Sequence, residues 1–168
     1  MGNLEFYNGL LKTEQERKQF LDNSYANSTI TVMSGFVLVN FYFWDLIINY
    51  TGPPTCAITI SWFVFAASLI QFFLALYYFI RAYNNWFFGY DYKSLPKIAN
   101  FWTIQKTSND PEKFERSVIE SISKAADIHQ KFNIIRFKRY FQARQWLIGL
   151  LISTIIYISI YYIFIRQL

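Results

Sequence analysis

The chain has 168 residues, of which 54% are hydrophobic and 21% aromatic, a density of Phe and Tyr that points away from a small soluble domain and toward a membrane protein. One Cys and one His exclude an intramolecular disulfide, a paired-Cys metal site and His-based metal clusters or triads. The net charge of +5 is unevenly placed: residues 84–145 carry seven Lys and four Arg against six acids, 11 − 6 = +5, while residues 1–28 carry three bases and four acids, 3 − 4 = −1.

Residues 1–28 are polar and lack the basic n-region and cleavage site of a signal peptide, so removal of a leader is not expected. Position 6 is Phe rather than Ser or Thr, which argues against myristoylation. Leu4, Tyr7, Leu10, Leu11, Phe20, Leu21 and Tyr25 predict an amphipathic helix. It could lie on a membrane surface or pack on the later amphipathic helix, and its few cations favour packing.

Residues 29–82 read as a transmembrane helical hairpin. The first span, about Thr29 to Tyr50, contains Asn40, Asp45 and Asn49. Thr51-Gly52-Pro53-Pro54-Thr55 ends it with an uncharged turn, and the second span runs from about Cys56 to Arg81. Cations flank only the side opposite that turn. The positive-inside rule therefore predicts a cytoplasmic N-terminus and an external C-terminus, Arg166-Gln167-Leu168.

Residues 83–110 are irregular and aromatic, with Trp86, Phe87, Phe88 and Trp102 suited to a headgroup layer and with Gly89 and Pro96 as breakers. This segment reads as a loop sealing the ends of the spans, or as a docking surface for a soluble partner.

Residues 111–168 predict one helix that begins in water and ends in lipid. Asp110 is a cap, Pro111 takes the first helical position, and Glu112 meets the positive end of the dipole. The pattern is amphipathic over 111–145 and apolar over 146–165, roughly the ~20 residues that cross a bilayer. A continuous helix would be ~85 Å long. The alternative is two helices joined by a kink near Gln142. The fold class is thus all-α: an integral membrane protein with three transmembrane helices, the third continuous with a long cytoplasmic helix.

Catalysis finds little support. The chain has no Gly-rich phosphate loop, no Gly-x-Ser-x-Gly and no His-Glu-x-x-His, and His129 reads as a partly exposed surface residue. No cofactor or metal is implied. The informative residues are polar ones within the spans. Thr31, Ser34, Leu38, Tyr42, Asp45 and Asn49 follow at steps of three, four, four, three and four, forming one stripe. A carboxylate at the centre of a span costs ~2.5–3.5 kcal/mol on insertion scales. Asp45 should therefore face water, a partner helix or the outer headgroups. Ser61, Ser68, Gln71 and Tyr78 align on the second span, and Gly149 and Ser153 make a small-xxx-small step on the third. Ser34, Asn40, Asp45, Asn49, Ser68, Gln71, Ser153 and Tyr157 are the pore-lining or helix-packing candidates.

Arg136, Lys138, Arg139 and Arg144, followed by Trp146, suit contact with anionic lipid headgroups or another anion. Nucleic acid is disfavoured as a partner, since a basic stripe beside Tyr140 and Phe141 is weak evidence for it. Phe114, Val118, Ile122, Phe132 and Ile135 form an apolar stripe that must be covered. The N-terminal helix, the 84–109 segment and other copies of the chain are the candidates, with contact between copies expected to contribute.

Tyr90-Asp91-Tyr92-Lys93-Ser94-Leu95-Pro96, following a hairpin of spans, resembles a Tyr-x-Tyr-x-x-Leu-Pro segment of small bacterial membrane proteins from phage-defence islands. Phe114, Ala125, Phe132-Asn133, Arg136 and Ala143 resemble their amphipathic helix. The likeness is to SLATT-type effectors and CRISPR-accessory membrane proteins, over residues 77–150. It implies a homo-oligomer in the bacterial inner membrane that perturbs that membrane when a soluble sensor is triggered. One CRISPR-accessory group carries Arg-x4-His; here the only His, His129, follows Lys124 by five positions. The expected function is a homo-oligomeric effector or channel that permeabilises or depolarises the inner membrane. The alternative is a membrane-anchored adaptor that docks a soluble partner protein through residues 84–145.

Overall fold

A computed structural model describes residues 2–51, 56–83, 90, 92 and 110–165. The Gly52–Thr55 turn, most of the aromatic 83–110 segment and the Arg166-Gln167-Leu168 terminus lie outside the described residues. Among the described residues every regular element is helical. The order is α1 (Gly2–Phe20), a π-helical turn (Leu21–Tyr25), α2 (Ala26–Ile48), α3 (Cys56–Tyr83), α4 (Pro111–Ile160) and a second π-helical turn (Tyr161–Ile165). Three helical stretches, Leu4–Ile48, Cys56–Tyr83 and Pro111–Ile163, are long and apolar enough to cross a membrane.

Local chemistry accounts for the helix ends. Asp110 Oδ1 accepts the backbone N–H of Glu112 at 3.0 Å, and the Phe114 N–H bonds the Asp110 carbonyl at 3.2 Å. Asp110 thus caps α4, and Pro111 occupies the position where no N–H is needed. The helix passes Gln142 without interruption, so the kinked alternative does not hold. α2 closes at Asn49, whose N–H bonds the Asp45 carbonyl at 3.1 Å.

The chain divides into two compact units. The first comprises residues 1–24 and 84–137. Its core is Leu11 of α1 against Ile122, Ala125 and Ala126 of α4, with Leu4, Tyr7 and Val118 packed around them. α1 therefore covers much of the apolar stripe expected to hold copies together: Ile122 is buried and Val118 half-buried within one chain. Phe132 meets the rings of Tyr90 and Tyr92 edge-on, at 5.5 and 5.4 Å. Phe114 and Ile135 are half-buried.

The second unit comprises residues 25–83 and 138–168, a bundle of α2, α3 and the later part of α4. Phe43, Ile47, Phe65 and Tyr157 form its centre, with Trp44, Leu69 and Tyr161 around them. The rings meet edge-to-face, Phe43 with Tyr157 at 6.0 Å and Trp44 with Phe65 at 4.3 Å, the geometry that ring quadrupoles favour.

Candidate functional site

The bundle sorts its polar side chains into two groups. One group turns inward, and most of its members join helices. Asn40 Nδ2 of α2 donates to the Phe36 carbonyl at 2.9 Å and to Thr154 Oγ1 of α4 at 3.1 Å. Ser153 of α4 donates to Gln71 Oε1 of α3 at 2.9 Å. Gly149 makes room for that amide: a Cβ there would lie 3.4 Å from Gln71 Nε2. Tyr157 donates to the Phe43 carbonyl at 3.0 Å, and buried Ser68 bonds the Val64 carbonyl of its own helix. Asn40, Ser68, Gln71, Ser153 and Tyr157 are therefore engaged in helix contacts. Each satisfies a hydrogen-bonding group that neither lipid nor an apolar core would satisfy. Thr154, which the pattern reading did not single out, belongs to the same set.

The second group stays outside. Thr31, Ser34, Leu38, Tyr42, Asp45 and Asn49 are all exposed, so the stripe read from spacing is one continuous outer face of α2. Asn49 Nδ2 donates to Asp45 Oδ1 at 2.8 Å, a bond one turn along the same helix. Gly35 beside Ser34 has nothing within 4 Å of where a Cβ would stand, so the face is also open to close approach there. The outer faces of the other two helices differ. α3 exposes Phe63, Ile70 and Phe73, and α4 exposes Ile148, Ile152 and Ile155. Asp45 is the sole charged residue in positions 29–80, and it is exposed on a face of α2 that also carries exposed Leu38.

The cations divide in a way that composition does not reveal. Arg136, expected at lipid headgroups, is instead fully buried in the first unit. Its Nη2 pairs with Asp22, and its Nη1 donates to the Tyr92 hydroxyl at 3.2 Å. The Tyr92 hydroxyl donates to Asn133 Oδ1 at 2.9 Å, and Asn133 Nδ2 donates to the Glu14 carbonyl and carboxylate at 2.8 and 3.0 Å. This chain of hydrogen bonds fastens α1 to α4. Burial opposes the Arg136 charge, but the hydrogen bonds of Asp22 and Tyr92 more than offset it, and its pKa moves up. Burial also raises the Tyr92 phenol, with Arg136 pulling the other way. His129, expected at the surface, is buried with its ring 4.8 Å from that of Tyr92.

The remaining three cations of the group belong to the second unit. Lys138 is exposed. Arg139 donates to the Arg81 carbonyl at 2.8 Å. Arg144 lies over the Tyr25 ring, 3.9 Å from its centroid, and donates to Ser28 Oγ at 2.9 Å. Among the described residues no three metal-ligating side chains come together. Comparison with protein-family models, curated proteins and solved structures finds no match to the chain.

Proposed function

We propose that the chain is a membrane protein whose copies assemble through the polar face of α2, and that the assembly permeabilises or depolarises the bacterial inner membrane. One observation supports this reading above the others: Asp45, the sole charged residue in positions 29–80, is exposed on a face of α2 that it shares with Ser34, Leu38, Tyr42 and Asn49. Lipid suits the apolar faces. It does not suit a carboxylate, whose exposure to hydrocarbon is penalised by ~2.5–3.5 kcal/mol on insertion scales. Copies arranged with α2 inward relieve that cost by placing the stripe against water and against one another. Three helices are too few to enclose a path, so conduction requires several copies. The phage-defence setting, and triggering by a soluble sensor, rest on the resemblance around Tyr90 and Tyr92 alone. The orientation, N-terminus inside and C-terminus outside, rests on the distribution of Lys and Arg.

The test is reconstitution of the full chain in vesicles bearing a salt gradient. The expected result is a leak whose cation preference falls in Asp45→Asn with the assembly size unchanged. Tight vesicles, or a leak with the same ion preference in the variant, would count against the stripe as a conducting surface. Tight vesicles together with capture of a soluble protein by residues 84–145 would favour the anchoring role.

A further inference from the structure

α2 and α4 face each other across a groove of about 280 Å³ within the second unit. One wall carries Ser28, Val32 and Phe36 at four-residue steps on α2, and the other carries Arg144, Ile148 and Leu151 at steps of four and three on α4. Such steps keep each row on one helix face. Ser28 and Arg144 stand together at one end, joined by their hydrogen bond. Beyond them the walls are apolar for two turns, about 10 Å at ~1.5 Å per residue.

Arg144 is held in place rather than free to wander. The Tyr25 ring supports one face of the guanidinium, and Ser28 takes one of its five N–H donors. Among the described residues no carboxylate pairs with it, whereas buried Arg136 has Asp22. A fixed, unneutralised cation at the mouth of an apolar groove is complementary to an anion carrying an apolar tail. We infer that this groove is a binding site for one anionic phospholipid. The phosphate lies against the Arg144 guanidinium, and an acyl chain lies between the two rows. A soluble phosphate would leave the apolar walls unused, and a zwitterionic lipid would bring its own cation to Arg144. The inference rests on α2 and α4 lying in lipid, but not on assembly or conduction.

The experiment places the full chain in nanodiscs containing equal phosphatidylglycerol and phosphatidylcholine. The lipids retained after mild detergent extraction are then counted by native mass spectrometry. The wild-type chain should retain phosphatidylglycerol preferentially. Arg144→Ala should lower that retention about fivefold, the contribution of one interfacial cation. Ile148→Trp, which fills the apolar part while leaving the cation, should lower it as well. Lys138→Ala, outside the groove, should not. Melting in phosphatidylcholine discs alone shows whether each variant is folded; should Arg144→Ala melt early, Ile148→Trp and Arg144→Gln carry the decision. Undiminished retention in the folded groove variants overturns the inference, as does equal retention of the two lipids. Displacement by free glycerol phosphate would make this a soluble-anion site and would also overturn it. A chain that purifies without detergent or lipid removes the membrane reading itself, which the disc results leave standing.

Discussion

The guanidinium of Arg136 is buried and paired with Asp22, while the Asp22 side chain keeps 37% of its surface. Removing one partner of a pair is therefore not equivalent to removing the other. Asp22→Ala leaves a buried cation without its carboxylate, and loss of a partner to a buried charge costs ~3–5 kcal/mol. The exposure of Asp22 places the expected loss at or below the low end of that range. Arg136→Met removes the buried charge, and the remaining carboxylate can hydrate. The prediction is that Asp22→Ala is the more damaging. Protease sensitivity of the detergent-solubilised full chain at rising urea measures it, and equal sensitivity would contradict the asymmetry.

Tyr92 sets an alkaline limit on the same unit. Burial raises its pKa above the ordinary 10.0, against the pull of Arg136. A folded pKa above the unfolded one means that the neutral phenol stabilises fully below the unfolded value. That contribution is lost as pH rises through the folded value. As pH rises past the ordinary 10.0, the wild-type chain should therefore lose more stability than Tyr92→Phe, which has no proton to release. Parallel slopes for the two chains over that rise would show that the phenol is not the responsible group.

The α2 face can be mapped by cross-linking. Cys56 is the single native cysteine and is exposed, so Cys56→Ser supplies the background. Ser34→Cys and Leu38→Cys place thiols on the polar face, and Phe73→Cys places one on the apolar outer face of α3. Mild oxidation should give covalent dimers from the α2 positions and few from position 73. Dimers from position 73 alone would move the interface to α3.

Gly149 and Gln71 share one space. A methyl at position 149 would stand 3.4 Å from the Gln71 amide, close to ordinary contact, so Gly149→Ala should be nearly neutral. Gly149→Leu has no such room and should separate α3 from α4. Gln71→Leu removes the bond from Ser153; interhelical bonds of this kind average ~0.6 kcal/mol, with a maximum of ~1.7. Steric trapping or thermal melting in detergent ranks the three, and a harmless Gly149→Leu would show that the helices do not approach as described.

Much of this architecture was legible because it depends on neighbours in sequence. The cap at Asp110, the start at Pro111 and the apolar lengths each follow from a few adjacent residues. The α2 stripe was legible as a face, since helical periodicity fixes which side chains lie together. What faces it is a different matter. Asn40, Gln71 and Tyr157 have the polarity of pore-lining residues, yet Thr154, Ser153 and the Phe43 carbonyl take them, and those partners are 82 to 114 positions away. The buried side of α4 was misread for the same reason. His129 reads from sequence as a surface residue and Arg136 as a headgroup contact, and such polar positions are ordinarily wet. Here Glu14 of α1 meets Asn133, and Asp22 of the following π-helical turn meets Arg136, from 119 and 114 positions away. A polar face covered by complementary polar groups is as dry as an apolar one, and no local pattern in α4 announces it.

The bonds joining α2 and α3 to α4 also have an order in time. Asn40 waits for Thr154, 114 residues later, and Gln71 waits for Ser153, 82 residues later. At ~5–20 residues per second of synthesis, the second delay alone lasts roughly four to sixteen seconds. For that interval the nascent α2 and α3 hold two amides whose partners on α4 have not yet been made. A ribosome stalled near residue 110 would leave both amides without those partners, Asn40 keeping only the Phe36 carbonyl of its own helix.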